Sequence, residues 1–92
     1  MRVLNRYKDK WNSHTCVDIM RGSRWGNPFV LHVDGTRDEI IKMFKQYAEF
    51  RLTIQPNWLE RLRGKDLWCC CKPEPCHGDV LLAMLEDMEE SA

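Results

Sequence analysis

A small α/β domain is the fold class this sequence predicts, on three observations. Residues 16–20 alternate, with Val17 and Ile19 on one side and Cys16, Asp18 and Met20 on the other, which is the period of a strand. Ile40, Phe44 and Tyr47 recur at helical spacing, and Ile41, Met43 and Phe50 widen the apolar face. The elements then run strand, strand, loop, helix, helix, strand, helix, an order that suits a sheet with helices packed on it. A helical crossover from the second strand to the third makes that pair parallel and the crossover right-handed. The expected architecture is one domain over residues 1–92: a Rossmann-like sheet of about three or four strands, at least partly parallel, flanked by about three helices.

Each element has its own signal. Residues 2–5 form a short strand, and the polar stretch 7–15 is irregular, with Trp11 as its anchor. In the loop 21–29, Gly22, Gly26 and Pro28 rule out a regular element, and residues 29–33 read as a short extended piece. Thr36 followed three residues later by Glu39 is a capping box, which opens a helix over residues 37–52. Pro56 starts a second short helix carrying Trp58, Leu59 and Leu62, with Gly64 where a terminating glycine belongs. A buried strand follows through Cys69, Cys70 and Cys71, stopped by Pro73 and Pro75. The last helix begins near Cys76 or His77, with Leu81, Met84, Leu85 and Met88 as its buried stripe.

Composition narrows the function classes. Net charge is zero, with thirteen Lys/Arg against eight Asp/Glu up to Asp66 and one against six beyond it. A neutral domain argues against a nonspecific nucleic-acid coat, which needs a basic surface. No apolar stretch approaches the roughly 18 residues of a membrane span, and no signal-peptide pattern opens the chain, so a cytoplasmic location is expected. Five cysteines, three of them consecutive, then read as reduced thiols rather than a disulfide framework.

Two constellations carry chemistry. Residues 67–79 hold four of the five cysteines, His77, Glu74 and Asp79, at a strand end that turns into a helix. A thiol at a helix N-terminus feels the positive end of the backbone dipoles, so Cys76 is a candidate nucleophile, with His77 as base and Asp79 as orienting carboxylate. Cys69, Cys71, Cys76 and His77 are the alternative reading, a Cys₃His zinc set. Their spacing is poor for zinc, because Cys76 and His77 are adjacent, and the expectation is no metal. Against both stands the plain reading that Cys69 and Cys70 fill a sheet core. The second constellation is the loop 21–29. Arg21 and Arg24 offer bidentate anion contacts, Trp25 can stack on a base or sugar, Gly26 lets backbone approach a ligand, and Asn27 reads a polar edge. The competing reading has Trp25 and Phe29 capping the core. If both loops end neighbouring parallel strands, they share the edge where open α/β sheets bind ligands.

The residues Arg21-Gly22-Ser23-Arg24-Trp25-Gly26-Asn27-Pro28-Phe29, then Thr36 to Glu39, then Gly64 to Leu67 and the cysteine turn, also carry a resemblance. The chain resembles a family of uncharacterised proteins common in bacteriophages and found in bacteria, domain of unknown function 4326. The resemblance covers nearly the whole chain and rests on Trp25, Gly26, Asn27, Pro28, Phe29, Cys69, Cys71, Pro73, Cys76, His77 and Asp79. It departs at Cys70, where relatives tend to carry tryptophan, so Cys70 is not a required thiol. It implies one shared site and a viral source, hence a host cytoplasmic location, and it names no substrate.

The functional expectation is a nucleotide- or nucleoside-like ligand held between the two loops. Arg21 and Arg24 would bind phosphate, and Cys76, His77 and Asp79 would face the reacting or recognised group. The alternative is a non-catalytic phage accessory protein that binds a host protein, with the Cys/His cluster structural, with or without zinc, and the aromatic loop as the interface.

Overall fold

Three short parallel strands form the centre of the computed structural model, which describes residues 2–20, 22–70 and 74–91. β1 (Val3–Asn5) and β2 (Cys16–Asp18) both pair with β3 (Asp66–Cys69), in the order β1-β3-β2. The central strand is thus the last of the three in sequence. Val3 and Val17 sit in register with Leu67, and Leu4 and Asp18 with Trp68. Residues in register share a face, so Val3, Leu67 and Val17 form one side of the sheet and Leu4, Trp68 and Asp18 the other. On the second side Trp11 meets Trp68 edge-on at 5.3 Å, the anchoring expected of it.

Two α-helices cover the first side. α1 (Arg37–Ile54) opens with the predicted capping box: Glu39 N–H donates to Thr36 Oγ1 at 3.4 Å and Thr36 N–H to Glu39 Oε1 at 3.1 Å. It runs two residues past the expected end. α2 (His77–Ser91) lies against the strands and α1 packs on α2. A Cβ added at Gly78 would come within 2.8 Å of Ile19 Cδ1 and 3.2 Å of Val3 Cγ1, so the first turn of α2 sits this close because that residue has no side chain. Phe44, Leu62, Leu67, Leu81 and Leu85 are fully buried between these layers. Among the described residues, no helix is long and apolar enough to cross a membrane.

Four expectations change. β3 ends at Cys69, and Cys70 beyond it is exposed instead of filling the sheet core. The helix predicted from Pro56 is a run of turns with one 3₁₀ turn (Glu60–Leu62), so the described residues hold two α-helices. The segment is pinned at Trp58, Leu59 and Leu62, all buried, and Gly64 at φ 74° reverses it into β3, leaving no length for a regular helix. The extended piece at 29–33 is a turn closed by an isolated Leu31–Gly35 bridge and supplies no fourth strand. Asp34 causes this, its carboxylate accepting from Val30 N–H at 2.7 Å while its own N–H donates to Val30 C=O. β2 ends at Asp18 rather than Met20, because Asp18 Oδ1 takes the Met20 N–H at 2.8 Å. Arg21, Cys71 and Pro73 lie outside the described residues.

Candidate functional site

With all strands parallel, Asn5, Cys69 and Ile19 arrive at one edge of the sheet, and the first turn of α2 sits over that edge. Cys69 follows Leu67 by two residues and so points to the helix side, where it is buried. Cys76 immediately precedes α2 and His77 begins it; both are buried as well. Cys69 Sγ lies 2.9 Å from Cys76 Sγ, and Cys76 Sγ lies 3.7 Å from His77 Nδ1. The three donor atoms fall within 4.8 Å of one another, close enough to serve one metal ion.

His77 has a defined tautomer when neutral. Its Nε2 is 2.7 Å from the carbonyl oxygen of Ile19, and a carbonyl only accepts. Nε2 therefore carries the proton, and the Nδ1 lone pair is on the side of the thiols. Ile19 N–H meanwhile extends the sheet ladder to Trp68 C=O at 3.1 Å, so one backbone unit ends β2 and orients the imidazole. Phe44 supports the ring edge-on at 5.0 Å. Gly78 N–H donates to Cys76 Sγ at 3.3 Å, which puts a backbone donor of the first helical turn on the sulfur. Asp79 Oδ2 accepts from Cys76 N–H at 3.0 Å, acting as a cap on the turn that presents the thiol.

A cavity of about 190 Å³ opens beside this cluster. Cys69, Cys70, Cys76 and His77 line it together with Asn27, Phe29 and Leu31. Ile40, Ile41 and Arg37 of α1 close it. Arg37 reaches across to donate to Pro75 C=O at 3.2 Å, which ties α1 to the cysteine turn and makes this residue the cation in the described wall. The sequence reading did not single it out, since its place depends on a carbonyl 38 residues away. Its position directly after the N-cap Thr36 was the available clue.

The structure brings some predicted site residues together and separates others. Asn27, Cys76 and His77 share the cavity wall. Asn27 Oδ1 accepts from Phe29 N–H at 2.9 Å, which fixes the amide with Nδ2 as its donor end. Trp25 lies outside the wall: it is buried, and its Nε1 donates to Trp58 C=O at 2.8 Å, so it holds the loop to the core. Arg24 places its guanidinium 5.9 Å from the Trp25 ring, and Gly26 N–H closes a turn onto Ser23 C=O at 3.2 Å. Asp79 lines a different groove, with Lys45, Glu49 and Asp87. Of the zinc set, Cys69, Cys76 and His77 converge, and Cys71 falls outside the described residues, as does Arg21.

Known proteins match the stretch that builds this site. The chain is similar to the "Uncharacterized 12.4 kDa protein in nrdA-td intergenic region" of Enterobacteria phage T4, 42% identical over 83 residues, which cover 87% of this chain and 72% of that protein. No solved structure matches the chain. A family model described as Domain of unknown function (DUF4326) matches residues 3–87, from β1 into α2, which takes in every residue of the cavity wall. The chain belongs to that family, DUF4326.

Proposed function

We propose that the cavity takes a nucleotide- or nucleoside-like ligand. The observation that carries this is that Asn27 and Phe29, from the glycine-rich loop, line one cavity with Cys69, Cys76 and His77, from the cysteine turn. Phe29, Leu31, Ile40 and Ile41 offer apolar surface to a flat ring, the Asn27 amide offers a donor to its polar edge, and Arg37 offers charge to an anionic group. Cys76 and His77 face the reacting or recognised part, while Asp79 acts behind them by holding the Cys76 N–H. In this reading Arg37 takes the anion contact first assigned to Arg21 and Arg24, and Trp25 positions the loop instead of stacking. The parallel sheet with its site at the carboxyl edge suits a Rossmann-like grouping, and this reading places the protein in the host cytoplasm.

A thermal-shift panel of nucleosides and their phosphates tests this. Ligand at about 100 times its Kd stabilises by about 2.7 kcal/mol, worth on the order of 10–20 °C for a domain of this size. Asn27→Ala should shrink that shift. A panel that moves the melting temperature nowhere at millimolar concentration sinks the reading and favours the non-catalytic accessory protein. Its docking aromatics would then be Tyr7 and Trp11, 77% and 50% exposed, since the loop tryptophan is buried.

A further inference from the structure

The cluster of Cys69, Cys76 and His77 has a geometry that a bare thiol pair does not explain. We propose that these three residues hold one zinc ion, with its remaining coordination position open to the cavity. The proposal rests on the reading of that cavity as a ligand site.

Four observations carry it. The donor atoms already lie within 4.8 Å of one another, and all three residues line the cavity. The adjacency of Cys76 and His77, awkward on paper, is resolved in space: His77 opens a helix and Cys76 caps it, which brings Sγ and Nδ1 to 3.7 Å. Zinc bond lengths of about 2.3 Å to sulfur and 2.0 Å to nitrogen put such a pair about 3.5 Å apart in a tetrahedron. The two sulfurs, at 2.9 Å, would separate to about 3.8 Å on loading.

The imidazole is oriented as a ligand is. Zinc-binding histidines give their other ring N–H to a carboxylate or a backbone carbonyl, and His77 Nε2 faces Ile19 C=O at 2.7 Å. Gly78 N–H on Cys76 Sγ is a further outer contact of the kind that steadies a thiolate. Charge points the same way. Two thiolates, one neutral imidazole and Zn²⁺ sum to zero, and a neutral assembly suits a place where both cysteines are 1% exposed. Thiolate and imidazole donors select zinc over magnesium or calcium. Three protein ligands plus one exchangeable position is the pattern of a working zinc, whereas four protein ligands make a closed structural one.

Metal analysis of the full-length protein, purified reduced and passed through gel filtration after exposure to zinc, reads the first part. About one zinc per chain is expected, and Cys69→Ser, Cys76→Ser and His77→Ala should each weaken retention by about 100-fold or more. Less than about a tenth of an equivalent in the wild-type protein overturns the proposal whether or not the variants fold. Cobalt substitution reads the open position: azide should shift the d–d bands of the wild-type protein, and Cys71→Ser should leave both metal content and that shift in place. Loss of metal in Cys71→Ser, or bands indifferent to azide, would mean a closed four-ligand site and overturn the open position. The nucleoside thermal shift, repeated on zinc-loaded and chelator-treated protein, keeps the two readings apart. Stoichiometric zinc without a nucleoside shift defeats only the ligand class, and a nucleoside shift without zinc defeats only the metal.

Discussion

The two walls of the cavity are built by different means. The cysteine wall uses the ends of regular elements: Cys69 is the last residue of β3, His77 the first of α2, and the imidazole is fastened to Ile19 just beyond β2. The loop wall is a chain of turns, closed by Ser23 N–H on Met20 C=O, Gly26 N–H on Ser23 C=O and Phe29 N–H on Asn27 Oδ1. That wall reaches the core chiefly through Trp25 and its bond to Trp58. In the function proposed above, the groups that keep fixed distances would be those on the frame, and the groups that fit a ligand's outline those on irregular backbone. The difference is testable, because the two walls should fail in different ways.

Trp25→Ala should have the largest effect. Removing a buried tryptophan costs about 3–5 kcal/mol, and here the Trp58 carbonyl also loses its donor. Urea unfolding measures the loss, and Trp25→Phe should recover most of the packing while still lacking the N–H. If Trp25→Ala unfolds no more easily than wild type, Trp25 is not the anchor of the loop wall.

Gly78→Ala probes the frame. Alanine in a helix is favoured over glycine by about 1 kcal/mol, so propensity alone predicts a gain. The new Cβ would meet Ile19 Cδ1 at 2.8 Å, however, and overpacking of this kind costs about 1–3 kcal/mol. The Ile19 methyl and the Val3 side chain must both give way, and the balance is a net loss of roughly 0–2 kcal/mol. A stabilised variant would show that the helix start can shift away from the strands. Gly22→Ala is the matching probe in the loop wall: a Cβ there meets nothing within 4 Å, and the strain comes from φ 95°, so the loss should be about 1 kcal/mol.

Asn27→Ala should separate binding from stability. Losing the side-chain bond to Phe29 N–H costs on the order of 1 kcal/mol or less, while ligand recognition at the polar edge should weaken about tenfold. Equal ligand affinity in the variant would remove Asn27 from the site.

The same contrast explains what could be read from sequence. The capping box of α1 was legible because Thr36 and Glu39 bond to each other, and the start of α2 was legible from its two prolines and apolar stripe. The cysteine wall followed from strand alternation and one turn. What stayed hidden depended on distant partners. Trp25 read equally as a stacking residue or as a cap on the core, because nothing near it in sequence announces Trp58, 33 residues on, and its burial there decides for the core. Arg37 read as a first-turn residue because Pro75 gives no local sign of needing a donor. The Pro56 segment has helical spacing, but burial of Trp58, Leu59 and Leu62 together decides its path. Asp79 beside His77 looked like a catalytic partner, and its contact with Cys76 N–H shows a capping role that the same spacing permits.

The smallest expected effect lies at the start of α1, where the frame meets the loop wall. The Glu39 carboxyl is held below its ordinary value of 4.5, first by its bond with the Thr36 backbone N–H and then by the Thr36 side chain. A carboxylate with a depressed folded-state pKa contributes stability above its unfolded value, and that contribution fades as pH falls through the lower folded value. Glu39→Gln keeps an acceptor for the capping box but removes the charge that the helix end favours. The variant should therefore melt slightly below wild type at pH 7, and the gap should narrow as pH drops below about 4.5. Melting curves of both proteins between neutral and acidic pH decide this. A gap that is constant across that range would assign the effect to side-chain geometry and take the charge of Glu39 out of the account.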